Sequence, residues 1–156
     1  MFVSDNGLYV VSTWDWYEYL NFTPATDLVT PNGPIVALHP GLNTGPVDVQ
    51  TVFTSAAPAH LHPGIDGRAW ADVIEVSAHF PEAPVSVVTA TEGSVEDITA
   101  GSDGNFRLRV HAVGRAEARD GAFKTVMEHY LIQLWLEPLS SPQVLVAATA
   151  AVNLAN

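Results

Sequence analysis

Two alternating stretches within residues 104–137 constrain the fold of this chain more than anything else in it. Phe106, Leu108, Val110 and Ala112 alternate with Arg107, Arg109 and His111. Tyr130, Ile132, Leu134 and Leu136 alternate in the same way with Leu131, Gln133, Trp135 and Glu137. A period of two marks a strand that buries one face, because successive side chains leave a strand on opposite sides. Asp103-Gly104 supplies a turn before the first stretch, and Pro138, which has no N–H for a ladder, ends the second. The two are expected to pair as antiparallel neighbours. Their connection, residues 114–128, is too long for a tight hairpin and is expected to project as a polar loop.

The rest of the chain repeats the theme in shorter pieces. Residues 7–22 hold Trp14, Trp16, Tyr17, Tyr19 and Phe22 and read as an aromatic strand or two, with Trp14 and Trp16 on one face and Asp15 on the other. Residues 34–38, 47–54, 69–80, 85–91 and 144–149 read as further strands, and 95–98 as a brief edge segment. The tail beyond residue 144 is rich in alanine, but its Val and Thr favour a strand. His39-Pro40-Gly41 fits a type II turn, and residues 38–43 are echoed by residues 61–66, as if two strands ended in the same turn. No amphipathic helix of three turns is present. Short strands with Gly and Pro turns indicate an all-β fold, an antiparallel β-sandwich or open barrel, with residues 1–156 as a single domain.

Charge is unevenly spread. Residues 1–106 carry Arg68 against thirteen acids, a net of −12, whereas residues 107–156 carry five bases against four acids, a net of +1. Five of the six bases, Arg107, Arg109, Arg115, Arg119 and Lys124, thus lie between 107 and 124. They either pair with acidic neighbours or, with Trp135, make a recognition patch of Arg107, Arg109 and Trp135. The acidity of the whole argues against a nucleic-acid surface, which needs clustered bases, and favours a basic protein as partner. Trp14, Asp15, Trp16 and Glu18 are the candidate contact residues. The absence of cysteine removes disulfides, thiol nucleophiles and thiolate metal sites. The start of the sequence shows neither a signal peptide nor a membrane span, so a cytoplasmic location is expected.

The residues point to no reaction. No serine sits in a Gly-x-Ser-x-Gly elbow, and Gly101-Ser102-Asp103-Gly104 leads into a strand where a phosphate loop would need a helix. No catalytic residue and no cofactor are assigned. The alternative is a divalent metal held by His60 and His62, which share one side of an extended segment, with Asp66 and a third histidine, His39, in reach if the two similar turns meet. That order resembles a cupin metal motif, with Asp66 as the acid and Pro63-Gly64 turning the chain between ligands. Three functions are expected in turn: a non-enzymatic β-sandwich that binds another protein, a metal- or small-ligand-binding β-barrel enzyme, and an oligomeric structural protein, such as a homodimer, joined through its aromatics.

Residues 104–111 (GNFRLRVH), Gly114-Arg115 and residues 128–135 (EHYLIQLW) together resemble small bacterial β-sandwich proteins of the competence protein J type. The likeness covers residues 73–137. It implies an all-β fold and a protein-binding role of the nuclease-inhibitor or immunity-protein kind, and it carries over no individual functional residue. The Ala- and Arg-rich, Lys-poor composition fits an actinobacterial source.

Overall fold

The computed structural model describes residues 1–24, 26–91 and 95–147. The two alternating stretches form the centre of its larger sheet. β8 (Gly104–Val113) and β9 (Glu128–Leu136) pair antiparallel, with Arg109 opposite Gln133 and Arg107 opposite Trp135. Antiparallel to the far side of β8 runs β6 (Asp72–Phe80), followed at the edge by β10 (Gln143–Ala147). On the other side β9 takes β5 (Gly45–Phe53), and the short β1 (Phe2–Val3) closes that edge. The smaller sheet runs β3 (Val29–Asn32), β4 (Ile35–Leu38), β2 (Leu8–Val11) and β7 (Ser86–Thr89). The sheets stack as an open sandwich.

Alternation decides what lies between them. Ile74, Val76, Ala78 and Phe80 of β6, Phe106, Leu108 and Val110 of β8, and Tyr130, Ile132 and Leu134 of β9 face Leu8, Val10, Val36, Leu38 and Val87 of the smaller sheet in one buried core. Phe106 touches Phe80 and Phe53 with ring centroids 5.6 and 6.0 Å apart. Such tilted aromatic pairs add to plain area burial.

Several expectations are corrected. The β5–β9 pair is parallel, so the larger sheet is mixed. A parallel neighbour needs a long crossover, and here β6, β7 and β8 intervene between the two strands. Residues 7–22 are strand only over Leu8–Val11; the chain then leaves the sheet and winds into a single 3-10 turn, Trp16–Tyr19. Local polar bonds compete with the ladder there: the Thr13 hydroxyl accepts the Asp15 N–H, and the Asp15 carbonyl accepts the Glu18 N–H. The 114–128 connection does not project. It opens with one helical turn, α1 (Arg115–Ala118), and lies back on the turn before β5, where Gly41 accepts from the Asp120 N–H and Gly121 accepts from the Asn43 N–H. Gly41 does not take the positive φ of a type II turn; it is needed because a Cβ there would sit 2.1 Å from the Arg115 carbonyl oxygen. The echo at Leu61–Asp66 is not at a strand end, and Val95 makes only an isolated bridge to Val87. The expected strand 144–149 is β10 as far as Ala147, and the tail beyond it lies outside the described residues.

Candidate functional site

The bases of β8 are placed inside the molecule. The outer face of the larger sheet carries Glu75 from β6, Arg107, Arg109 and His111 from β8, and Gln133 and Trp135 from β9. It is covered by the 54–71 connection and by residues 138–142. Arg107, Arg109 and Trp135 are 3%, 7% and 2% exposed, so they present no accessible patch. One carboxylate holds both cations: Glu75 Oε1 is 3.1 Å from Arg107 Nε, and Oε2 is 2.8 Å from Arg109 Nε. Arg107 also donates to Ser77 Oγ and to the carbonyls of Ser140 and Ser141, which fastens the 138–142 segment. The Arg109 guanidinium lies 5.5 Å over the Trp135 ring. Arg115 is buried too, paired with Asp72 at 3.3 Å and donating to the carbonyls of His39 and Asp27.

Beside Arg109, His111 is fully buried. Its Nδ1 lies 2.9 Å from the Leu131 carbonyl, which can only accept, so Nδ1 carries the proton and Nε2 is a bare acceptor without a partner. Burial, opposed by that hydrogen bond and helped by Arg109 and His62, pushes its pKa down to about 4. The unfolded chain protonates the same ring near pH 6.5. Between those values the unfolded state therefore binds more protons, and stability should fall as pH drops from about 6.5 to 4, by roughly 2–3 kcal/mol, and level off below. Urea unfolding at pH 7 and pH 4 checks this. The difference between the two should shrink by that amount in His111→Asn; an unchanged difference would assign the slope to carboxylates instead.

The histidine pair proposed for metal is arranged differently. His60, His62 and Asp66 are all exposed, and among the described residues no three His, Asp or Glu side chains are gathered as a ligand set. His62 Nδ1 accepts the Trp70 indole N–H at 3.0 Å and the Gly64 N–H at 3.3 Å. An indole can only donate, so neutral His62 carries its proton on Nε2 and keeps no lone pair there for a metal. His39 stands apart on the smaller sheet, bonded to Thr30 Oγ1 at 2.8 Å, its pKa lowered by burial and then by Arg115.

The aromatic segment is the part that reaches solvent. Trp14 is 79% exposed and Tyr17 61%, with Asp15 and Glu18 also exposed. Trp16 is half-buried: it packs on Tyr9 at a centroid distance of 5.1 Å and helps cover Val11, Ile35 and Val88 on the outer face of the smaller sheet. Between this segment and the Glu82–Pro84 turn lies a cleft of about 110 Å³. Buried Val11 and Val88 contribute apolar lining, together with the indoles of Trp14 and Trp16 and with Glu82. Ser12, 3% exposed, sits in the lining with a buried hydroxyl that has no hydrogen-bond partner. Such orphans are uncommon in folded proteins. Of the residues singled out in the sequence, Trp14 and Trp16 line this cleft and Asp15 and Glu18 do not; Ser12 and Glu82 line it and were not singled out. They are 70 residues apart, and only the pairing of β2 with β7, with Val11 opposite Ser86, brings their flanks together.

The fold and this surface define a two-sheet β-sandwich with an aromatic, acid-edged cleft on the outside of its smaller sheet. Comparison with protein-family models, with curated protein sequences and with solved structures returns no match.

Proposed function

We propose that the protein is a non-enzymatic binding protein that engages a basic protein through its acidic, aromatic surface. The observation that carries this reading is the pairing of a solvent-exposed Trp14 with Asp15, Glu18 and Glu82, on a chain whose acidity is poorly balanced at the surface. Arg68, Arg107, Arg109 and Arg115 are all taken up in ion pairs, while the chain carries a net −11. Exposed tryptophan flanked by charge is the composition of an interface centre rather than of idle surface. The field of the acids would speed encounter with a cationic partner. The resemblance of residues 73–137 to competence protein J-type proteins supports a partner of the nuclease or toxin class.

The test is capture from a lysate at low and at high salt, with an Asp15→Lys, Glu18→Lys double variant in parallel. A basic protein held at low salt, released by salt and lost by the variant is the expected result. Equal retention by the variant, or retention that ignores salt, would overturn the reading.

A further inference from the structure

The cleft has more chemistry than a general docking surface requires. Buried valines, two indoles and an exposed carboxylate line it, and a buried hydroxyl in its lining lacks a partner. We propose that it takes the side chain of an arginine presented by the basic partner; this rests on the function proposed above and names the group recognised.

Each feature selects against another occupant. An anion would meet Glu82 in the lining, on a chain of net charge −11. A purely apolar side chain would suit Val11, Val88 and the indoles but would leave the Glu82 carboxylate in the lining without a counter-charge. Arginine suits the apolar residues, the indoles and the carboxylate together. Its methylene stem covers the apolar residues. Its planar, weakly hydrated guanidinium stacks on an indole face. Its N–H donors allow a paired bond to the Glu82 carboxylate. Lysine offers a compact, strongly hydrated charge with no plane to stack, and should bind less well.

The probe is a capped pentapeptide with one arginine between glycines, alongside its lysine and citrulline counterparts. The readout is the indole N–H resonances of Trp14 and Trp16 in the full chain. The arginine peptide should shift both resonances, the lysine peptide should bind several-fold more weakly, and the uncharged citrulline peptide should not bind. Glu82→Gln and Trp14→Ala should each weaken the arginine peptide by roughly tenfold. Both side chains are exposed, so neither change should alter the melting curve. Equal shifts with citrulline, an undiminished response in Glu82→Gln, or no response in the unaltered protein would overturn the assignment. The two proposals fail separately. A captured basic protein that Glu82→Gln still holds fully removes the arginine assignment and leaves the partner. Arginine-peptide binding without any salt-sensitive partner does the reverse.

Discussion

Glu75→Ala should destabilise the protein by about 3–5 kcal/mol, the usual cost of removing one partner from a buried ion cluster. The size follows from the geometry. Glu75 is 9% exposed and gives one oxygen to each of two guanidinium groups that are themselves almost fully covered. Its loss strands two like charges on adjacent positions of one strand face, Arg107 and Arg109, under the 54–71 and 138–142 segments. Arg107 would keep Ser77, Ser140 and Ser141, and Arg109 would keep only its long bonds to the Pro58 carbonyl, at 3.4 and 3.5 Å, and the Trp135 ring. Urea unfolding measures the loss, and the melting temperature should fall by roughly 10 °C or more. Replacing the trio together, Glu75→Leu with Arg107→Met and Arg109→Met, should recover much of the stability, because no unpaired charge is then left inside. A cost under about 1 kcal/mol for Glu75→Ala would mean that water reaches the cluster.

This cluster also marks the boundary of what could be read from the sequence. Phe106, Leu108 and Val110 alternate with Arg107 and Arg109, and alternation identifies the strand and its core face without further help. The same alternation implies that the arginines face water, since an antiparallel sheet commonly keeps one face solvated. What buries them is the cover of the 54–71 and 138–142 segments, with the carbonyls of Pro58, Ser140 and Ser141 as acceptors. Nothing local to β8 announces distant carbonyls. Glu75 becomes the partner only through register, opposite Arg109 on β6. The aromatic segment failed in the opposite direction. Five aromatics in nine residues have strand propensity, but the Thr13 hydroxyl accepts the Asp15 N–H and the Asp15 carbonyl accepts the Glu18 N–H, the chain turns into a 3-10 turn, and Trp14 is exposed there. The parallel β5–β9 pair is likewise a matter of order in space, which residue patterns do not encode.

The placement of charge has a consequence for function. Three of the five arginines, two that alternation would put on the surface and one in the connection expected to project, pair with Glu75 and Asp72 in the interior. The surface is left more acidic, relative to its remaining bases, than the bare composition suggests. The interior ion pairs and the acidic exterior therefore belong to one design: cations hold the covering segments to the sheet, and acids face outward beside Trp14.

The second large effect is expected at Glu128, whose carboxylate closes one end of the core. Glu128 is fully buried and accepts three bonds: the Gly41 N–H at 3.0 Å, the Leu42 N–H at 2.6 Å and the Tyr130 hydroxyl at 2.5 Å. Burial first, and the Glu128 charge next, hold that tyrosine protonated well above its usual range, so it remains a donor. Glu128→Ala would orphan two backbone N–H groups and a hydroxyl and open a cavity, at about 1–3 kcal/mol per unsatisfied donor, so about 4 kcal/mol or more in all. Tyr130→Phe removes one donor and leaves the carboxylate its two backbone bonds, and should cost only about 1 kcal/mol. The loss at Glu128 should also be felt beyond the site. The turn it holds carries the Gly41 carbonyl, which accepts the Asp120 N–H, and Asn43, whose N–H goes to Gly121. Hydrogen exchange at Asp120 and Asn43 should therefore quicken in Glu128→Ala under native conditions by more than the loss of global stability explains, while the amides in the middle of β8 and β9 quicken only by that loss. Equal costs for Glu128→Ala and Tyr130→Phe would show that water replaces the carboxylate at the Gly41–Leu42 turn, and would remove Glu128 as the anchor of the 114–128 connection.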